Sequence, residues 1–239
     1  MRAIECLMGK YASLEISNKL IVSTGDDLWS VTARNRVCEH TLHARESLFL
    51  EGDETKYLYR VVAGVMCNSR TLQNGRRQVI SFPYPDDVIG LGHSLSYCCR
   101  CVAVSEARIR SIPLSALRGS IGTSPEVGQF LLALANAELA RMQDCQLSLG
   151  RKTALERLAW FLLWLARKGG LGCTQGDKVQ IPMTRRDIAD HLGLTIETIS
   201  RNFTTLKRLG VIEMPDLSTA AILDAAMLQE MAEVQEHPL

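Results

Sequence analysis

The sequence predicts an α+β protein in three parts: a β-rich N-terminal region, a long amphipathic helix, and a C-terminal winged helix-turn-helix. Three observations carry that prediction. Between Val37 and Ile112, short β-rich runs alternate with turn residues, which argues for a barrel, sandwich or jelly roll. After Ser124 and Pro125 no proline occurs until Pro182, and apolar residues recur at heptad spacing. From Thr184 to Arg208, two helical patterns flank Gly193. The boundaries drawn from these patterns are 1–123, 124–150 and 151–239.

Residues 1–35 are mixed in composition, and short helices are expected around LEISNKLIV and DDLWSVTAR. The β-rich runs that follow are RVCEHTL, SLFLEGD, YLYRVVAGVM, CNSRTLQ and RRQVISF, with Asn74-Gly75 between the last two as a strong local hairpin signal. A final run, VAVSEARIRSIP, completes at least six strands.

Ser124 and Pro125 have the chemistry of an N-cap and a first helical residue. Leu132, Ala135, Leu139, Met142, Gln146 and Leu149 then form a heptad seam, the pattern of a helix that pairs with its own copy, with Gln146 as a polar register residue. Phe130, Leu131 and Leu134 on an adjoining face allow the same helix to pack on its own β-domain, and the two roles are compatible. Gly150 interrupts the pattern as a candidate hinge. In ALERLAWFLLWLARK, Trp160, Phe161 and Trp164 are read as domain core. GGLGCTQGDK is a loop, Val179–Pro182 a short strand, GVIEMPDLSTAAIL a wing-like hairpin, and Asp224 a cap for a last helix.

The helix-turn-helix is punctuated residue by residue. Thr184 and Asp187 stand at capping-box spacing; Ile188, Ala189 and Leu192 form one apolar face; Gly193 follows where a helix ends with positive φ. Thr195 caps the next helix and Glu197 sits in its first turn. There Ile196, Ile199, Phe203, Leu206 and Leu209 are expected to be buried, leaving Glu197, Thr198, Ser200, Arg201, Thr204 and Arg208 outward. Those types suit a major groove: Glu accepts from cytosine N4, Arg forks onto guanine O6 and N7, and Ser or Thr serves base or phosphate. The predicted DNA-contacting set is Thr184, Arg185, Thr195, Glu197, Thr198, Ser200, Arg201, Thr204, Lys207 and Arg208, with Arg185 assigned to a phosphate. An ordinary helical hairpin with a Glu197–Arg201 surface pair is the plainer alternative.

Charge supports the DNA reading. Residues 151–212 hold eleven Lys and Arg against five Asp and Glu, whereas 213–239 hold six acidic residues and no Lys or Arg. A basic block coinciding with a helix-turn-helix is the footprint of a phosphate-binding surface.

The recognition segment Glu197, Thr198, Ile199, Ser200, Arg201 resembles the E-x-x-S-R of the Crp/Fnr superfamily of bacterial transcription regulators, and specifically its FNR/FixK branch. LGLTIETISR and KTALERLAWFLLWLARK resemble that branch too, over roughly the last 90 residues; the N-terminal half matches in layout. The resemblance implies a jelly-roll-like double-stranded β-roll as sensor, a long dimerisation helix, and a homodimer on double-stranded DNA reading a two-fold operator close to TTGA-N6-TCAA. It also implies RNA polymerase as a partner and a response to oxygen, redox or metabolic state. A cyclic-nucleotide or other small-ligand regulator of the same fold, or a haem gas sensor, is the alternative.

No cofactor is predicted. FNR itself holds an iron–sulfur cluster with an N-terminal cysteine cluster, and here that region offers only Cys6 and Cys38. The cyclic-nucleotide signature of the superfamily, Gly-Glu-Leu then Arg and a small residue, reads Gly92, His93, Ser94, with Arg100 followed by Cys101, so the ribose-binding glutamate is missing. His93 near three cysteines raises haem as a lesser possibility. Cys98, Cys99 and Cys101 lack C-x-x-C spacing and are read as thiols, open to a redox role, rather than as a metal site. The effector, if any, stays open between a small ligand, a thiol signal and none. No G-x-S-x-G, Walker loop or H-E-x-x-H occurs, so an enzyme is not expected. No 18-residue apolar run or signal-peptide layout occurs, so the expected location is the cytoplasm.

Overall fold

The structure, a computed structural model, describes residues 37–91, 95–121 and 124–232, without the side chains of 120–121 and 144–151. The short helices expected within 1–35, the Gly92-His93-Ser94 stretch, and the Gln146 and Leu149 side chains lie outside the described residues. The described residues fall into two compact units: one takes residues up to Met66 plus Pro83–Asp144, the other Cys67–Phe82 plus Cys145–Leu239. These divisions do not follow chain order, because Cys67–Phe82 packs with the C-terminal half.

In the first unit, β1 (Cys38–Leu42), β8 (Ala107–Pro113), β3 (Tyr57–Ala63) and β6 (Val88–Ile89) form an antiparallel sheet in that order. β2 (Ser47–Phe49) pairs with β7 (Arg100–Ala103). Inward side chains, among them Val61, Met66 and Ile109, are completely buried, with Phe49, Tyr59 and Tyr97 stacked beside them. YLYRVVAGVM, expected as one run, is broken at Gly64, which has φ 80°. A Cβ there would lie 2.1 Å from the Glu106 main-chain oxygen, so only glycine lets the chain turn against its neighbour. VAVSEARIRSIP likewise divides into β7 and β8.

Helices α1 (Leu114–Ile121) and α2 (Pro125–Arg151) close this unit. Val127, Phe130, Leu134 and Ala137 of α2 pack with Leu58, Ile112 and Leu117, so the helix does cover its own β-domain. The seam residues point elsewhere: Leu132, Leu139 and Met142 are 63%, 55% and 53% exposed, and Ala135 is exposed with them. Gly150, expected as the hinge, lies inside α2, which runs on to Arg151. The break falls at Thr153, whose hydroxyl and Glu156 close a capping box that starts α3 (Ala154–Lys168). A reciprocal cap defines a boundary better than one glycine in a helical context.

β4 (Met66–Thr71), which enters the second unit at Cys67, and β5 (Arg77–Ser81) form the expected hairpin. Its loop is longer than a two-residue turn: the Leu72 amide donates to the Arg76 carbonyl at 2.8 Å, and Asn74 Oδ1 accepts from the Arg76 amide at 3.0 Å. Phe161, Leu158 and Leu162 of α3 are fully buried; Trp160 and Trp164, also expected in the core, are half-buried at its edge. β9 (Lys178–Gln180), β10 (Ile212–Glu213) and β11 (Thr219–Ile222) make a sheet of order β10-β11-β9, and β10–β11 is the wing. α6 (Ala225–Ala232) packs on α3, and Asp224 caps it by accepting from the Met227 amide at 2.9 Å. Among the described residues no helix is long and apolar enough to cross a membrane.

Candidate nucleic-acid interface

Helix α4 (Arg185–Leu192) and helix α5 (Ile196–Arg208) form the helix-turn-helix. Thr184 Oγ1 accepts from the Asp187 amide at 3.1 Å, and Asp187 Oδ2 accepts from the Thr184 amide at 3.1 Å and from its hydroxyl at 2.6 Å. Gly193 closes α4 in the left-handed region at φ 65°. That geometry, nearly free for glycine, turns the chain within three residues into the Thr195 cap of α5. Arg157 secures the same corner from α3, donating from Nη1 to the Leu192 carbonyl at 3.1 Å.

Ile199, Phe203 and Leu206 are buried, each stabilising the docked helix by roughly 1.5–3 kcal/mol. Ile196 and Leu209, also expected in the core, are 40% and 44% exposed. They lie at the two ends of α5, beyond the neighbours that cover its middle.

The outward face carries Glu197, Ser200, Arg201, Thr204, Lys207 and Arg208, all exposed. Glu197 is held below the ordinary carboxyl range first by its own main-chain N–H, then by the Thr195 side chain, so it is a charged acceptor at neutral pH. Arg201 Nε donates to the Glu197 main-chain oxygen at 3.4 Å, so the exposed guanidinium is tied to the first turn of α5 through the backbone. Ser200 donates to the Ile196 carbonyl at 2.8 Å and Thr204 to the Ser200 carbonyl at 3.1 Å. With their protons committed inward, both hydroxyls offer lone pairs outward, a match for base amino groups. Thr195 and the half-buried Thr198 are engaged in the cap, their hydroxyls 3.1 Å apart.

Arg185 is not splayed outward as a phosphate clamp would be. Its guanidinium lies 3.4 Å from the centroid of the Phe203 ring, and Nη1 is buried without a protein hydrogen-bond partner. Burial lowers its pKa, which still leaves it a cation. Its neighbour Arg186 is the exposed one. In the wing, Asp216 Oδ1 accepts from the Ser218 amide at 2.7 Å, which presents Leu217 at the tip, 90% exposed.

The β4–β5 hairpin reaches α4. His191 sets its ring between Phe82 and Phe161, at centroid distances of 5.2 and 5.6 Å, and donates from Nδ1 to the Val79 carbonyl at 3.2 Å. Burial drives its pKa from the ordinary 6.5 down to about 4, partly opposed by that hydrogen bond. For Asp187, burial is the largest influence and raises the pKa, but the hydrogen bonds from Thr184 and Arg77 and the Arg77 charge outweigh it, so the carboxyl ends below its usual range. Both groups act in one direction. The His191 contribution is complete above pH 6.5 and is lost as pH falls toward 4; that of Asp187 is lost below the ordinary carboxyl range. The thermal midpoint of this unit is therefore expected to fall through that window; a midpoint flat from pH 7 to about 4.5 would contradict a His191 held neutral by the fold.

The three candidate redox thiols differ in access. Cys98 is exposed, Cys99 half-buried, and Cys101 lies on β7 with no exposed surface. Cys67 is also buried, and burial pushes its pKa up to about 12. Peptide mapping after brief alkylation at pH 8 is expected to find Cys38 and Cys98 modified, and Cys67, Cys101 and Cys173 modified only on unfolding. Rapid labelling of Cys101 would contradict the packing of the β-roll.

A β-roll, a long helix with an exposed apolar stripe, and a winged helix-turn-helix presenting Glu197, Ser200 and Arg201 define a DNA-binding transcription regulator. Comparison with known proteins agrees. Residues 156–231 match a Crp-like helix-turn-helix domain and residues 39–123 a cyclic nucleotide-binding domain. The nitrogen fixation regulation protein FixK of Azorhizobium caulinodans is 40% identical over 79% of this chain and 77% of that protein. The transcriptional activator protein FnrL of Cereibacter sphaeroides is 32% identical over 79% and 78% of the two chains. The solved structure of FixK2 from Bradyrhizobium japonicum superposes with a TM-score of 0.76 at 32% identity, covering 82% of this chain and 98% of that one. The chain belongs to the Crp/Fnr superfamily of transcription regulators, on its FixK branch.

Sequence reasoning missed Arg77 and Arg157, which hold α4 from outside the motif. Neither stood in a pattern that marks such a role, since Arg77 lies 110 residues from Asp187.

Proposed function

We propose that the chain acts as a homodimer on a two-fold operator close to TTGA-N6-TCAA, one α5 helix entering the major groove at each half-site. The observation that carries this reading is the α5 face itself: a charged acceptor at Glu197, an exposed guanidinium at Arg201 and two hydroxyls whose protons are committed to the helix, all on the side opposite the buried Ile199, Phe203 and Leu206. Arg201 is assigned to guanine O6 and N7, Glu197 to the amino group of the paired cytosine, and Ser200 to adenine N6 of an outer T·A pair. The exposed Leu132, Leu139 and Met142 stripe supports pairing through α2.

Relatives named for nitrogen fixation and for anaerobic regulation support target genes governed by oxygen or redox state, with RNA polymerase as the partner at promoters. The contacts proposed for α5 are hydrogen bonds and ion pairs made by its own side chains, and no cofactor is proposed for them. Arg100, which stands at the arginine position of the cyclic-nucleotide signature, is exposed and donates to Ser47 Oγ from Nε and Nη2 at 3.2 and 2.8 Å. The β-roll is accordingly proposed to work without cyclic AMP.

Fluorescence anisotropy with a labelled operator duplex and a duplex of scrambled half-sites tests the reading. Specific binding at least a thousandfold tighter than to the scrambled duplex at physiological salt is expected, on the scale of other specific regulators. Equal binding to both would overturn it. An absorbance spectrum and metal analysis of protein purified without oxygen test the cofactor part.

A further inference from the structure

The segment Cys67–Phe82 falls in sequence inside the match to a cyclic nucleotide-binding domain, yet packs in the same compact unit as the helix-turn-helix, with β5 lying on α4. Arg77 is the strongest link. Its Nη1 lies 2.6 Å from Asp187 Oδ1 and 3.1 Å from Asp190 Oδ2, while Nη2 donates to the buried Cys67 sulfur at 3.3 Å. Asp187 thus uses one oxygen to cap α4 and the other to hold the hairpin. Gln78 adds a bond from Nε2 to the His191 carbonyl at 3.4 Å, and the His191 ring returns one to Val79.

We propose that Arg77 is a positioning residue for DNA reading: by bridging Asp187 and Asp190 it fixes α4 on the hairpin, and through the turn at Gly193 it sets how α5 enters the groove. The inference rests on α5 being the reading helix. Two physical effects act together. A helix held at two successive turns by one guanidinium nitrogen shared between Asp187 and Asp190 has fewer orientations than one held by packing alone, and the short turn at Gly193 passes that constraint to the base contacts. In a helix-turn-helix the first helix crosses the DNA backbone, and there two uncompensated carboxylates would repel phosphate; Arg77 neutralises them. Arg77 touches no base in this scheme and acts only through the two aspartates. All three side chains are partly exposed, at 36%, 18% and 22%, so the pair is a screened one, and its role is orientation more than fold stability.

The test uses the full chain with Arg77→Gln, Arg77→Lys, and Arg77→Gln combined with Asp190→Asn, in anisotropy titrations against the operator and the scrambled duplex over a salt series, beside thermal melts. Arg77→Gln is expected to weaken operator binding roughly tenfold and to narrow the operator-to-scrambled ratio, with the protein folded at the assay temperature. Arg77→Lys, which keeps the charge, is expected to recover part of the loss, and Asp190→Asn to recover part of it in the Gln background by removing a repelling carboxylate. A purely structural role would lower the melting midpoint and leave the ratio of the folded protein unchanged. An Arg77→Gln protein whose ratio matches the parent overturns the proposal, as does failure of both rescues. A parent protein that does not separate the two duplexes overturns the functional reading first, and this inference with it.

Discussion

Replacing Leu139 with Glu is expected to yield a monomer that barely holds the operator. Leu139 sits at the middle of the exposed stripe on α2, between Leu132 and Met142, and is 55% exposed in the single chain. In a two-fold pairing each substituted residue faces its copy or a neighbour of the same helix, so two carboxylates are brought together in an apolar seam without a counter-charge. Sedimentation at micromolar concentration should then show the mass of one chain. Operator affinity should fall by roughly a hundredfold or more, because the second half-site no longer gains from the first. The opposite face of α2, with Val127, Phe130 and Leu134, is untouched, so the variant should remain folded. A Leu139→Glu protein that sediments as a dimer and binds normally would place the interface elsewhere.

The second large effect is expected on the reading face. Glu197→Ala and Arg201→Ala should each cost about 1–3 kcal/mol on TTGA-N6-TCAA and relax the choice at the G·C pair, as loss of a base-edge contact does. Neither side chain is part of the core, so thermal midpoints should hold. Arg185→Ala provides the contrast: it removes a cation stacked on Phe203, and its effect should appear in stability, and in binding to every sequence alike. Unchanged discrimination in the Glu197→Ala protein would remove base readout from this face.

What the sequence revealed about the helix-turn-helix follows from locality. Thr184, Asp187, Gly193 and Thr195 form their capping bonds within five residues of themselves, and short-range stereochemistry is what a pattern can encode. The strand breaks at Gly64 and Ser105–Glu106 were harder to see, because the need for glycine at position 64 comes from the Glu106 carbonyl, 42 residues on. The helix boundary at Thr153 is encoded as Thr-x-x-Glu, and Gly150 lies only one residue before the end of α2 at Arg151, so the glycine marks the neighbourhood of the break and the cap its position. Ile196 and Leu209 obey the helical period of the buried face, but periodicity has no knowledge of where the covering elements end. The ties of Arg77 and His191 to partners on the other side of a fold were beyond any window along the chain.

Helix α5 divides its labour between two faces. The residues that anchor it, Ile199, Phe203 and Leu206, and the residues offered to DNA share no position, and both caps are fixed by main-chain geometry and by Thr195. The outward set can therefore be rewritten as a block without disturbing the scaffold. Transplanting the exposed residues of a differently tuned relative onto this helix is therefore expected to recode the address that α5 reads while leaving its packing on the rest of the unit in place.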